Sequence, residues 1–147
     1  MVPAVRDPSS NCVEERGCDW EKVTVCAFDQ AAAMHSNTTA LQVAFLVCMD
    51  EKIGVTAIGA AKQCAASTAL DFDQINTCFG GTRGDDLLEA ASKVWNTAFP
   101  KRTTIPHTLL MNDEGVLDVS PSLDALTKAL CRHGSTSPAC ASRACEV

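Results

Sequence analysis

Apolar positions recur at intervals of three and four along the first two thirds of this chain, and that spacing predicts helices. From Asp19 to about Ala33, the residues Trp20, Val23, Ala27 and Ala31 fall on one side of such a repeat. Met34 to Thr38 is a polar connection, and Thr39 is placed to cap a second helix through Leu41, Ala44, Phe45 and Cys48. A short helix is expected around Ala60 to Ala69, and another opens at Asp71-Phe72-Asp73 and runs through Ile75 to Cys78. The run Phe79 to Gly84, with Gly80, Gly81 and Gly84, reads as a turn. From Asp85 an amphipathic helix places Leu88, Ala91, Val94, Trp95 and Ala98 on one face and ends at Pro100.

The pattern then changes. His107 to Met111 and Val116 to Val119 are short apolar runs on either side of Asn112-Asp113-Glu114-Gly115, which predicts a β-hairpin. Ser120-Pro121 supplies an N-cap and a first-turn proline for a helix buried through Leu123, Leu126 and Leu130. The expected organisation is therefore a loop or strand end over 1–18, a helical block over 19–100, a hairpin and helix over 101–134, and a cysteine-containing tail over 135–147. Helices followed by Ile105-Pro106, a hairpin and a helix suggest an α/β class, with a β-β-α half following a disulfide-rich helical block.

Composition narrows the function classes. The formal net charge is −6 and no basic run occurs, which argues against nucleic acid, because phosphate contacts need clustered Lys and Arg. The most apolar run, Leu41 to Met49, is broken by Gln42 and is too short to span a bilayer. The N-terminal residues Met1 to Asp7 have neither the basic nor the apolar segment of a signal peptide.

Nine cysteines carry most of the information: Cys12, Cys18, Cys26, Cys48, Cys64, Cys78, Cys131, Cys140 and Cys145. None stands in Cys-x-x-C spacing and only His133 among three histidines is near one, so a disulfide framework is expected rather than a zinc site. Spacing does not give the pairing. The odd count leaves one thiol unpaired within the chain or bonded to another molecule. Asn37-Thr38-Thr39 is an N-glycosylation triplet. Together these place the chain in the secretory pathway, outside the cell or in an organelle lumen.

The cysteines and their neighbours resemble the gamma-interferon-inducible lysosomal thiol reductase (GILT) family. The interval from Cys18 to Cys26 matches the family spacing. Ala44-Phe45-Leu46-Val47-Cys48-Met49-Asp50-Glu51 is similar to the family helix that ends in Cys-Met-Glu. Cys64, and Cys78 followed by Gly81-Thr82-Arg83-Gly84, resemble its next two cysteines and Gly-Arg-Gly turn. Ile105-Pro106, the hairpin and the helix to Cys131 resemble its C-terminal half, and Cys140 and Cys145 its tail cysteines. The Cys12 to Cys18 interval is one residue shorter than the family's, its Gln-His-Gly is absent, and Glu21 stands where the signature has Asn.

The resemblance implies a thioredoxin-like fold and thiol-disulfide exchange. It also implies a cis Ile105–Pro106 bond beside the substrate, with Ile105 and Pro106 as the substrate-binding pair. The catalytic Cys-x-x-C of that family lies upstream of its signature and is not in this sequence, so no catalytic residue is assigned. Exchange needs a thiolate of lowered pKa with a resolving thiol nearby. Cys12 and Cys18 read as a local staple instead, and Cys140 and Cys145 as a structural bridge. His107, His35 and His133 carry no expected chemistry, and Trp20 and Trp95 read as core. No cofactor or metal is implied. Two readings follow. One is the C-terminal part of a thiol reductase, inactive without its front half. The other is a complete, non-catalytic, disulfide-stapled subunit whose protein partner covers the open sheet region. In both, the ninth cysteine is available for an intermolecular disulfide.

Overall fold

The computed structural model describes Val5, Cys12, residues 17–34, 38–52, 54–98, 109–112, 115–118, 123–132 and Cys140. The chain forms two units, Met1–Arg102 and Thr103–Val147.

The first unit is built around helix α1 (Asp19–Ala33). Asp19 and Glu21 lie in its first turn, where negative charge suits the helix dipole. Six consecutive residues, Val23 to Phe28, are buried, so this helix is covered on all sides through its middle. Its end is closed by the Met34 backbone N–H, which donates to the Ala31 carbonyl at 3.3 Å. Thr38 opens α2 (Thr38–Asp50), and its hydroxyl donates back to the same carbonyl.

Helix α3 (Ala57–Thr68) starts at Thr56, whose hydroxyl accepts from the Gly59 N–H. Its buried side is Ala57, Ala60, Ala61, Cys64, Ala65 and Thr68, small residues that let α1 and α2 approach closely. It ends at Ala69, which takes the left-handed conformation usual after a helix at φ 57°. Helix α4 (Phe72–Gly80) is capped by Asp71, whose carboxylate accepts from the Asp73 N–H at 2.9 Å. Helix α5 (Thr82–Ala98) follows after one residue.

Two apolar clusters share α1. The larger joins Val23, Cys26, Ala27 and Ala31 to Phe45 and Met49 of α2, the small residues of α3, and Ile75 of α4. The smaller joins Val25 to Leu88 and Ala91 of α5, with Val5 and Cys12 against them. The second unit holds a two-stranded antiparallel hairpin, β1 (Leu109–Asn112) and β2 (Gly115–Asp118), paired from Leu109↔Asp118 to Asn112↔Gly115. It also holds α6 (Leu123–Arg132).

Two expectations are corrected. The α/β class is overturned: the first unit is all-helical, and the described strands of the second form only a two-stranded hairpin. No wider sheet occurs among the described residues, where the two short strands pair only with each other. The physical reason is that α1 to α5 bury their apolar sides against one another and need no sheet to cover them. A two-stranded ribbon does not by itself make a sheet layer. The turn expected over Phe79–Gly84 is also mostly helix. Only Gly81 separates α4 from α5; it is extended, at φ −110° and ψ 175°, and its N–H donates to the Cys78 carbonyl.

Candidate functional site

The cysteines are the first candidate for chemistry, and the helices decide their pairing. Cys26 on α1 bonds Cys78 on α4, and Cys48 on α2 bonds Cys64 on α3. Cys12 bonds Cys18 just before α1, and Cys131 at the end of α6 bonds Cys140. Cα separations of 5.0–5.8 Å fit ordinary bridges. Cys12–Cys18 is the local staple expected from the sequence. Cys140 is not bridged to Cys145: its partner is Cys131. The eight described cysteines are thus used up among themselves, and Cys145, outside the described residues, is the ninth.

A thiol-exchange centre needs a thiolate and a resolving thiol within reach. None of the eight supplies a free thiol in this state. Each bridge has at least one strongly covered partner or closes a short local loop, as staples do. Cys12, Cys26 and Cys64 are at most 2% exposed. Ser67 donates a long contact to Cys48 Sγ at 3.9 Å. Among the described residues no three His, Cys, Asp or Glu side chains gather as a metal site would require.

The second candidate is a polar corner that the sequence did not single out. Lys22 leaves α1, crosses the start of α5 and ends between the Asp85 carboxylate and the Phe79 ring, whose centroid is 5.6 Å from Nζ. Its side chain is only 17% exposed. Two turns further along α1, Asp29 accepts two bonds from the Arg83 guanidinium, at 2.6 and 3.1 Å. The pair is open to solvent, and Asp29 holds the guanidinium pKa above its usual value, first by hydrogen bonding and then by charge. Both contacts tie the N-terminal turn of α5 to α1 beside the Cys26–Cys78 bridge. The corner positions helices: its lysine and arginine are each paired with a carboxylate across α1 and α5.

This corner explains Gly84. A Cβ there would lie 2.6 Å from Lys22 Cε and 2.7 Å from the Cys78 carbonyl oxygen. The lysine can swing aside, but the backbone oxygen cannot. Gly84→Ala should therefore destabilise the first unit by about 1–3 kcal/mol, although an alanine inside a helix ordinarily gains about 1 kcal/mol over glycine. Urea unfolding of the two proteins checks the sign.

Glu21 is largely covered, and that desolvation raises its carboxyl pKa; its own backbone N–H works against the rise, and nearby Asp19 adds to it. A carboxyl with a raised folded pKa makes the native state bind the proton more tightly than the unfolded chain. The ionised group is a cost that is fully present above the folded pKa and disappears as pH falls to the ordinary carboxylate value. Glu21→Gln should stabilise the protein at neutral pH, with the advantage shrinking toward pH 4; melting temperatures across that range test it.

Of the other residues singled out in the sequence, Trp20 packs against the larger cluster and Trp95 is 7% exposed, as core residues. Ile105, Pro106, Asn37, His35, His107 and His133 lie outside the described residues. The fold and its cysteines define a disulfide-stapled helical domain. No family model, no curated protein and no solved structure matches the chain.

Proposed function

We propose that this chain is a non-catalytic, disulfide-stapled helical module of the secretory route, working by binding another protein rather than by exchanging disulfides. The observation that carries the reading is the commitment of all eight described cysteines to four bridges. Two of them lock pairs of core helices, α1 to α4 and α2 to α3. Multiple bridges fit an oxidising compartment, outside the cell or in a lumen. No described helix is long and apolar enough to cross a membrane. Cys145 offers a partner an intermolecular disulfide.

A second reading keeps the chain in a GILT-like thiol reductase. It is favoured by the order of the nine cysteines and the Cys48-Met49-Asp50-Glu51 helix end. In that reading the stapled helices accompany a reductase whose Cys-x-x-C is not among these residues.

The natural protein, denatured in an alkylating agent and weighed intact before and after reduction, tests both. The binding module predicts eight bridged cysteines, a ninth that is alkylated or joined to a partner, and no turnover of a disulfide-linked substrate with a small thiol as reductant. Turnover, with peptides that carry two further cysteines in Cys-x-x-C spacing, overturns it in favour of the reductase.

A further inference from the structure

Lys101-Arg102 is the one place in the chain where two basic residues adjoin. The same pair ends the first unit: the chain divides into Met1–Arg102 and Thr103–Val147, on the carboxyl side of Arg102. A boundary of this kind falls where neither unit's core depends on the connection. The pair also follows the end of α5 at Ala98 and precedes β1, which begins at Leu109, so it belongs to no described helix or strand.

The remaining basic residues stand singly. Six of the twelve are held in helices: Lys22 in α1, Lys62 in α3, Arg83 and Lys93 in α5, and Lys128 and Arg132 in α6. An endoprotease takes its substrate as an extended strand, so a bond inside a helix is cut only after local unfolding. Arg83 is held further by its two bonds to Asp29. The bridges keep the two units covalently separate. Cys12–Cys18, Cys26–Cys78 and Cys48–Cys64 close within the first, and Cys131–Cys140 closes within the second. Eight of the nine cysteines are thereby used, so Cys145 has no partner left in the chain with which to tie the second unit to the first.

We propose that Lys101-Arg102 is a processing site, cut after Arg102 by an endoprotease of the secretory route whose acidic pockets take the two basic side chains. A guanidinium in an acidic pocket is held by paired hydrogen bonds as well as by charge, which favours arginine next to the bond that breaks. The step is a hydrolysis. The oxygen of water bonds the Arg102 carbonyl carbon, the bond to the Thr103 nitrogen breaks, and that nitrogen leaves as an amine with a proton from the water. Thr103 presents an ordinary secondary amide to this cut, where a proline would not. The products are a helical piece with three bridges and a second piece with one bridge and Cys145. The proposal rests on the secretory reading above and adds that the helical module is released from the unit that follows it.

The test uses the natural protein with its bridges intact, alkylated and then denatured without reductant. Two chains should separate, and sequencing should find a new amino terminus at Thr103. A secreted Lys101→Ala, Arg102→Ala variant should stay in one chain with the same four bridges, which shows that the change spares folding. A variant still cut before Thr103 overturns recognition of the basic pair. Pieces that separate only on reduction overturn the release, because a bridge then crosses the two units. A bridged, extracytoplasmic protein uncut at Arg102 overturns the processing and leaves the secretory reading standing. A chain found reduced in the cytosol overturns both.

Discussion

Removing the Cys26–Cys78 bridge by the double change Cys26→Ala, Cys78→Ala should cost the first unit about 4 kcal/mol, the largest loss among the bridges of this unit. The bridge joins positions 52 apart, against 16 for Cys48–Cys64 and 6 for Cys12–Cys18. In the chain-entropy account the stabilisation grows with the logarithm of the closed loop, which gives about 4, 3 and 2 kcal/mol in that order. The native side of the balance points the same way. Cys26 sits in the middle of α1, 2% exposed within the larger core, so its truncation leaves a small gap among Val23, Ala27 and Ile75. A loss of that size should lower the melting temperature by on the order of 20 °C for a unit of this length. The measurement is urea unfolding of three double variants, one per bridge, compared with the fully oxidised protein. An equal cost for all three would mean that the denatured chain is already constrained by the other bridges, and that loop length does not set the ranking.

Phe45→Ala should destabilise the protein by about 3–5 kcal/mol. Phe45 is fully buried and, with Met49, is all that α2 contributes to the buried core. The cluster it belongs to is rich in alanine, with Ala27 and Ala31 of α1 and Ala57, Ala60, Ala61 and Ala65 of α3. Alanine side chains have no rotatable reach with which to extend into the space a lost ring leaves. The cavity should therefore stay open, which places the cost toward the upper part of the range. Phe45→Leu, which keeps most of the volume, should recover the greater part of it. The Cys48–Cys64 bridge holds the C-terminal half of α2 on α3. Hydrogen exchange in the Phe45→Ala protein should thus rise first in the half of α2 before Cys48. If the whole helix loosens together, the bridge does not anchor it independently of the ring.

How far the sequence alone reached can be followed element by element. The three-and-four spacing of Trp20, Val23, Ala27 and Ala31 marked α1, and the observed helix covers Asp19–Ala33. Asp71 was legible as the start of α4 because its carboxylate serves the first turn locally. The local bridge Cys12–Cys18 was legible for the same reason. The start of α5 was not: three glycines in six residues read as a turn, while Arg83–Asp29 and Lys22–Asp85 hold that stretch helical from 54 and 63 residues away. The α/β class failed because a hairpin pattern states that two strands pair, not that further strands join them into a sheet.

The sequence by itself determined the helical periodicity, the start of α4 at Asp71, the acidic charge and the supply of cysteines, since each depends on composition or on residues within a turn or two of one another. The tertiary structure alone decided which distant cysteines meet, that α1 is buried on all sides, and that the Cys78 carbonyl requires glycine at position 84. Pairing, burial and close approach are set by elements far apart in the chain, and periodicity along one helix carries no information about the partner it will meet.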